Sequence, residues 1–249
     1  MKKRILSSFA LFCLLGANEW ADAKLPTHYD IRYSAEYERS KIDLWLADSK
    51  KSTPLVINFH GGGFRKGDKR SFQGSSMLRK YFPQVISFAS VNYPYIDQVE
   101  GDHWKLLKHC SESIKFIKKN AGKYNIDKNR ISIMGNSAGA LITCFLGHAK
   151  KIGIRSLYLI QQPKGTPFLL PYIRRDGPPI MVYNRSGLND QIHHPRFAVI
   201  IQKKCEELGV PCIAYGMEGS GLCTLPEGKD VNDLAMQFFK KSWKSKKNE

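Results

Sequence analysis

The chain has 249 residues, 42% hydrophobic and 24% charged, a composition that fits one globular domain and excludes a disordered polyelectrolyte. Its formal charge of +17 at pH 7 favours polyanionic surroundings such as acidic polysaccharide or an anionic lipid surface. The lysines are nevertheless spread along helical segments (Lys105, Lys108, Lys115, Lys118, Lys119, Lys123) and the C-terminal tail, with no nucleic-acid reader motif among them, so a specific nucleic-acid partner is not expected.

The N-terminus reads as a leader. Met1-Lys2-Lys3-Arg4 is a basic head, Ile5 to Ala17 an apolar core, and Ala21-Asp22-Ala23 a small-residue cleavage site. Residues 1–23 are therefore expected to be a secretory signal, giving an exported domain over 24–249. Its loss leaves the positive surplus almost unchanged. Past the leader, no run approaches the ~18 apolar residues of a membrane helix. Cys110, Cys144, Cys205, Cys212 and Cys223 remain after Cys13 is removed. An oxidising compartment permits disulfides, with Cys205 and Cys212 as the local pair, though an odd count leaves one thiol over. No spacing resembles a zinc site, and no metal or organic cofactor is implied.

Strand-like and helix-like segments then alternate, the pattern of an α/β domain with a mostly parallel sheet. Tyr29 to Tyr33 and Lys41 to Leu46 open the domain, and Leu55 to Phe59 is a buried strand running into His60-Gly61-Gly62-Gly63. A helix over Ser71 to Tyr81 and a strand over Val85 to Val91 follow. From His103 to Lys119 the residues Trp104, Leu107, Ile114 and Ile117 recur at helical spacing. Arg130 to Met134 is a strand that enters Gly135-Asn136-Ser137-Ala138-Gly139, and Ala140 to Leu146 is a helix. Strands are expected over 156–161, 179–184 and 211–215. Helices are expected over 195–208, stopped by Gly209, and over 231–243. About 18 residues between the strands at 161 and 179 are too few for a large lid domain.

G-x-S-x-G between a strand and a helix is the setting of a nucleophile elbow, in which a serine hydroxyl is lifted out of the sheet on a strained turn. Together with the upstream H-G-G-G, it makes the chain resemble the esterase/lipase group of the α/β-hydrolase fold, including small secreted carboxylesterases, over nearly all of its mature length. The resemblance implies a central sheet of about eight strands flanked by helices, and an acyl-enzyme on Ser137. It implies an oxyanion hole from the backbone N–H groups of Gly62, Gly63 and Ala138, with His60 ordering the loop. It implies an acid after the strand at 179–184, where Gly187-Leu188-Asn189-Asp190 matches the family's G-x-x-D and nominates Asp190. The substrate would be a small-molecule or polysaccharide ester.

The family's histidine should follow the last strand, and here the chain departs from it. Gly219-Ser220-Gly221 fits that loop, yet Leu222 stands in the histidine's place and no histidine follows His194. His193 and His194, close behind Asp190, offer a relocated base, or else two surface or packing residues ahead of a helix. Glu218 and Glu227 are weaker substitutes, since a carboxylate is a poor base at neutral pH. His28, His103, His109 and His148 are expected to face elsewhere. Two readings stay open: an exported ester hydrolase with an atypical base, and a catalytically impaired hydrolase-fold protein that binds a carbohydrate or acidic ligand.

Overall fold

A computed structural model describes residues 24–245. The expected leader at 1–23 and the last tail residues lie outside the described residues. Eight strands form one sheet: β1 (His28–Arg32), β2 (Lys41–Trp45), β3 (Thr53–Phe59), β4 (Ser87–Val91), β5 (Ile126–Asn136), β6 (Leu157–Ile160), β7 (Ile180–Asn184) and β8 (Cys212–Gly216). Their order is β1-β2-β4-β3-β5-β6-β7-β8. The β1–β2 and β2–β4 pairs are antiparallel and every later pair is parallel. Parallel strands need helical crossovers, which cover both faces and leave the central strands without a polar side. All seven residues of β3 are buried accordingly.

One face carries α2 (His103–Lys119), α3 (Ala138–His148) and α4 (Arg196–Leu208), whose Leu106, Ile114, Ile142 and Ile201 pack on Leu55, Ile57, Ile133 and Leu159. The other carries α1 (Ser76–Tyr81) and α5 (Val231–Lys244), whose Met77, Leu78, Met236 and Phe239 pack on Val56, Phe88 and Met181. Asp102 caps α2 by accepting from the Trp104 and Lys105 amides at 2.8 and 3.0 Å, which sets the start of that helix.

The helix expected over 71–81 is in fact broken. A 3-10 turn spans Lys69–Phe72, and α1 restarts at Ser76 behind the side-chain cap of Ser75. Val85 stands outside β4 with φ 59°. β5 begins four residues before the expected start at Arg130, because Ile126 pairs with Thr53 across a register shift. Between β6 and β7 lies a short 3-10 segment, Thr166–Tyr172, and no inserted lid domain. Among the described residues the five cysteines are free, Cys205 included. No described helix is long and apolar enough to cross a membrane.

Candidate active site

The site is built on the C-terminal ends of β3, β5, β6 and β7. Ser137 closes β5 with φ 54° and ψ −117°, a strained conformation that few non-glycine residues adopt. Its amide donates to the Ile160 carbonyl at the end of β6 at 2.9 Å, so the turn is pinned to the neighbouring strand. The flanking glycines are steric necessities. A Cβ on Gly139 would overlap the Phe59 carbonyl oxygen, and one on Gly135 would overlap the Gly139 carbonyl oxygen. The elbow can form only where α3 crosses the sheet this closely.

The Ser137 hydroxyl meets a histidine: Ser137 Oγ lies 2.9 Å from His193 Nε2. His193 Nδ1 in turn lies 3.4 Å from Asp190 Oδ2. Asp190 is held firmly. Its Oδ1 accepts the His193 and Ile192 amides at 2.8 and 2.9 Å, and its Oδ2 accepts the Ser186 hydroxyl at 2.7 Å. These donors, the His193 amide first, hold the carboxyl well below the ordinary carboxylate range. An ionised Asp190 facing Nδ1 favours the tautomer with the proton on Nδ1, leaving Nε2 to accept from Ser137. Asn184, the last residue of β7, donates to the His193 carbonyl at 2.9 Å and fixes the loop from below.

His194 takes no part in this contact. Its Nδ1 instead accepts the amide of Arg196, the first residue of α4, at 3.0 Å. The position after β8 holds nothing aimed at Ser137. There the chain folds back on its own strand, with the Gly216 amide donating to the Cys223 carbonyl at 2.8 Å, and Leu222 packs against the main core. Glu218 and Glu227 are exposed.

The glycine loop lies across the site from His193. Gly62 and Gly63 have φ of 112° and 62°, left-handed values that favour glycine, and the Gly62 carbonyl accepts the Arg65 and Lys66 amides, both at 3.1 Å. Gly63, Ser137 and Ala138 border one cavity, with Gly62 a residue behind. Ala138 is the first residue of α3, so its N–H has no acceptor within the helix. His60 is buried and stacked on Tyr93 at 4.4 Å, while the Tyr93 hydroxyl donates to the His60 carbonyl at 2.7 Å. Burial lowers its pKa, and it serves as a packing element of the loop.

The cavity measures about 570 Å³ and is walled largely by Phe64, Trp104, Leu107, Leu141, Phe168 and Leu169. Two of its lining residues differ from expectation. Trp104 was expected in the core stripe of α2 but lies at 36% exposure against Phe145 and Tyr172. His103, expected to face elsewhere, also lines the cavity and packs edge-on against Phe64 at 5.4 Å. A smaller cleft of about 250 Å³ and mixed character lies beside the elbow, lined by Asn58, Ser71, Asn136 and Asn232 together with Phe72, Met77 and Met134.

A second serine–histidine–carboxylate chain exists elsewhere. Ser40 Oγ lies 2.8 Å from His109 Nε2, and His109 Nδ1 lies 3.1 Å from Glu36 Oε2. Ser40 is fully buried at 0% exposure, so no substrate reaches its hydroxyl. Ser137, half-buried, combines the chain of contacts with a place on the cavity wall, a strained elbow and the free N–H of Ala138 at the start of α3.

Comparison with known proteins agrees with this picture. The family model described as BD-FAE matches residues 42–157, just under half of the chain. The match takes in both glycine motifs and stops before Asp190 and His193. A probable isoprenylcysteine alpha-carbonyl methylesterase of Oryza sativa subsp. japonica is 32% identical over 105 residues, which is 42% of this chain and 24% of that protein. Gut esterase 1 of Caenorhabditis elegans is 27% identical over 126 residues, 45% of this chain and 22% of that protein. The matched stretch thus spans about a quarter of the length of these relatives. A truncated carbohydrate esterase from gut microbiota superposes with a TM-score of 0.73 at 15% identity, over 90% of this chain and 98% of the other. Esterase B from Lactobacillus rhamnosis, solved with a tributyrin phosphonate inhibitor, gives 0.66 at 17% identity, over 91% of this chain and 90% of the other. The sheet order, the elbow at the end of β5 and these superpositions together establish that the chain has the α/β-hydrolase fold.

Proposed function

We propose that the protein is a carboxylic ester hydrolase that works through an acyl-enzyme on Ser137, with His193 as its base. The observation that carries this reading is the 2.9 Å contact between Ser137 Oγ and His193 Nε2 on a strained elbow that borders the cavity. His193 Nε2 takes the hydroxyl proton as Oγ bonds to the ester carbonyl carbon. The carbonyl oxygen becomes an oxyanion, held by the N–H groups of Ala138, Gly63 and Gly62. His193 then returns the proton to the departing alcohol oxygen. A water, deprotonated by the same nitrogen, frees the acid and restores Ser137. Asp190 stays ionised, orients the ring and balances the imidazolium charge.

The apolar cavity suits one side of the ester, and the smaller cleft, with its asparagines and serines, the other. The carbohydrate esterases among the structural neighbours support a sugar ester as the substrate class. The net charge of +17 supports attraction to an acidic polymer. With residues 1–23 read as a cleaved leader, the enzyme acts outside the cytoplasm. The non-catalytic reading rests on the histidine absent after β8 and on the high charge; the contact between His193 and Ser137 supports the catalytic reading over it.

The test is hydrolysis of p-nitrophenyl acetate and labelling by a fluorophosphonate. Ser137→Ala should abolish both, and His193→Ala should lower kcat/KM by about 10³-fold or more. His194→Ala should keep it within about threefold and change stability by no more than about 0.5 kcal/mol, since only an exposed hydrogen bond is lost. Turnover that survives His193→Ala, or wild-type protein without turnover, would overturn the assignment.

A further inference from the structure

The acid and the base come from one short loop after β7, whereas the nucleophile stands on β5. Something must hold the loop in register with the elbow. Two consecutive residues at the end of β6 touch both. The Ile160 carbonyl accepts the Ser137 amide at 2.9 Å. The next residue, Gln161, reaches the other way. Its Nε2 donates to Ser186 Oγ at 2.7 Å, and its Oε1 accepts the Arg185 amide at 2.6 Å. Ser186 Oγ then donates to Asp190 Oδ2 at 2.7 Å, the same oxygen that lies 3.4 Å from His193 Nδ1. The Ser186 amide is itself held by Asn184 Oδ1 at 2.9 Å, so its hydroxyl starts from a fixed backbone.

Gln161 makes these bonds from a backbone with φ 52°, in the left-handed region where glycine would be unstrained. Its amide still reaches across, donating to the Tyr183 carbonyl at 2.9 Å. A position that fold stability alone selected would favour glycine here. The side chain present instead spends both ends of its amide on the segment that carries the acid.

Resting on the hydrolase reading above, we propose that Gln161 and Ser186 are positioning residues, a hydrogen-bonded chain from β6 to Asp190 Oδ2 that sets the angle of His193 toward Ser137. The direction of the chain matters. Gln161 offers N–H to Ser186, which leaves the serine proton for Asp190. Reversing the first donor would turn the hydroxyl away from the acid.

Four variants test this in the full chain, with kcat referred to sites titrated by a fluorophosphonate. Gln161→Gly removes the amide and relieves the backbone. It should lower kcat for p-nitrophenyl acetate about tenfold, keep KM within about twofold, and leave Tm unchanged or raised by about 2 °C. Ser186→Ala should lose kcat to a similar extent, and the double variant should be no worse than about twofold beyond either single one, because both break the same chain. Ser186→Thr keeps the hydroxyl and should recover at least half of the wild-type kcat. Gln161→Gly with wild-type kcat, or a kcat loss that Ser186→Thr fails to recover, would overturn the proposal while leaving the Ser137 reading intact. Wild-type protein without Ser137-dependent turnover would overturn both.

Discussion

Ser137 and Ser40 show how little three side chains in line decide. Both hydroxyls lie within 2.9 Å of a histidine Nε2, and both histidines face a carboxylate. What separates them is access and a place for developing charge. The Ser40 chain instead ties the start of β2 to α2, with His109 packed edge-on against Tyr37 at 4.7 Å. Ser40→Ala should therefore leave kcat/KM within about twofold and cost about 1–2 kcal/mol in urea unfolding, because the His109 ring nitrogen is left buried without its partner. A loss of activity per folded molecule would contradict that division of labour. The two sites also differ in legibility. Ser137 could be read from five letters, since its glycines are demanded by contacts with Phe59 and Gly139 that any such elbow repeats. The choice between His193 and His194 could not. It depends on which ring the turn at Asp190 directs inward, and that is set by bonds from Asn184 and the Asp190 carboxylate. The three-residue spacing from Asp190 to His193 was the available signal, for a capping carboxylate that accepts an amide three residues on brings that residue back alongside itself.

At the scale of elements, α3 carries the tightest constraint. Its second residue, Gly139, lies against the carbonyls of Phe59, the last residue of β3, and of His60, and this close approach brings the start of the helix up to them. Gly139→Ala should cost about 3 kcal/mol or more and remove activity. Gly187→Ala, where a Cβ meets nothing within 4 Å, should stay within about 0.5 kcal/mol. Urea midpoints of the two variants decide it, and equal midpoints would contradict the steric account. Elements with strong period or continuous burial were legible: β3, α2 and α4 match their apolar runs. Short elements were not. The residues from 69 to 84 form three pieces because local caps at Asp68 and Ser75 outweigh propensity. The segment Thr166–Tyr172, which presents Phe168 to the cavity, has too few residues for a periodic signal.

For the molecule as a whole, the two layers of helices bury titratable groups far from the site, and His148 is the clearest. It closes α3 at 0% exposure, accepts the Arg174 amide at 3.2 Å, and packs against Gly177. Burial, then the Arg174 charge, lower its pKa to about 4. The unfolded chain binds that proton near pH 6.5, the ordinary histidine value, so folding excludes it between about 6.5 and 4. Stability is complete above the upper limit and falls as pH drops through this window, by about 3 kcal/mol. Thermal unfolding from pH 7 to 4 should show the decline, and His148→Leu should flatten it; an unchanged slope would assign the decline to other groups. Asp190 is also held down, chiefly by the His193 amide, and its carboxyl stays ionised through this range, so its own protonation adds no step to activity between pH 7 and 4.

The turn from Asp190 to His193 places acid and base on one stretch of four residues, closed by its own backbone amides. In the family pattern the two arrive on separate loops, after two different strands, and both loops must be kept in register. On the proposed reading one cassette carries both, and the segment after β8 is released from that role. That segment has become a hem that folds back on β8 and tucks Leu222 into the core. Sequence change between β8 and α5 is then answerable to packing alone. Changes to the chemistry are concentrated in a stretch short enough to be exchanged as a unit.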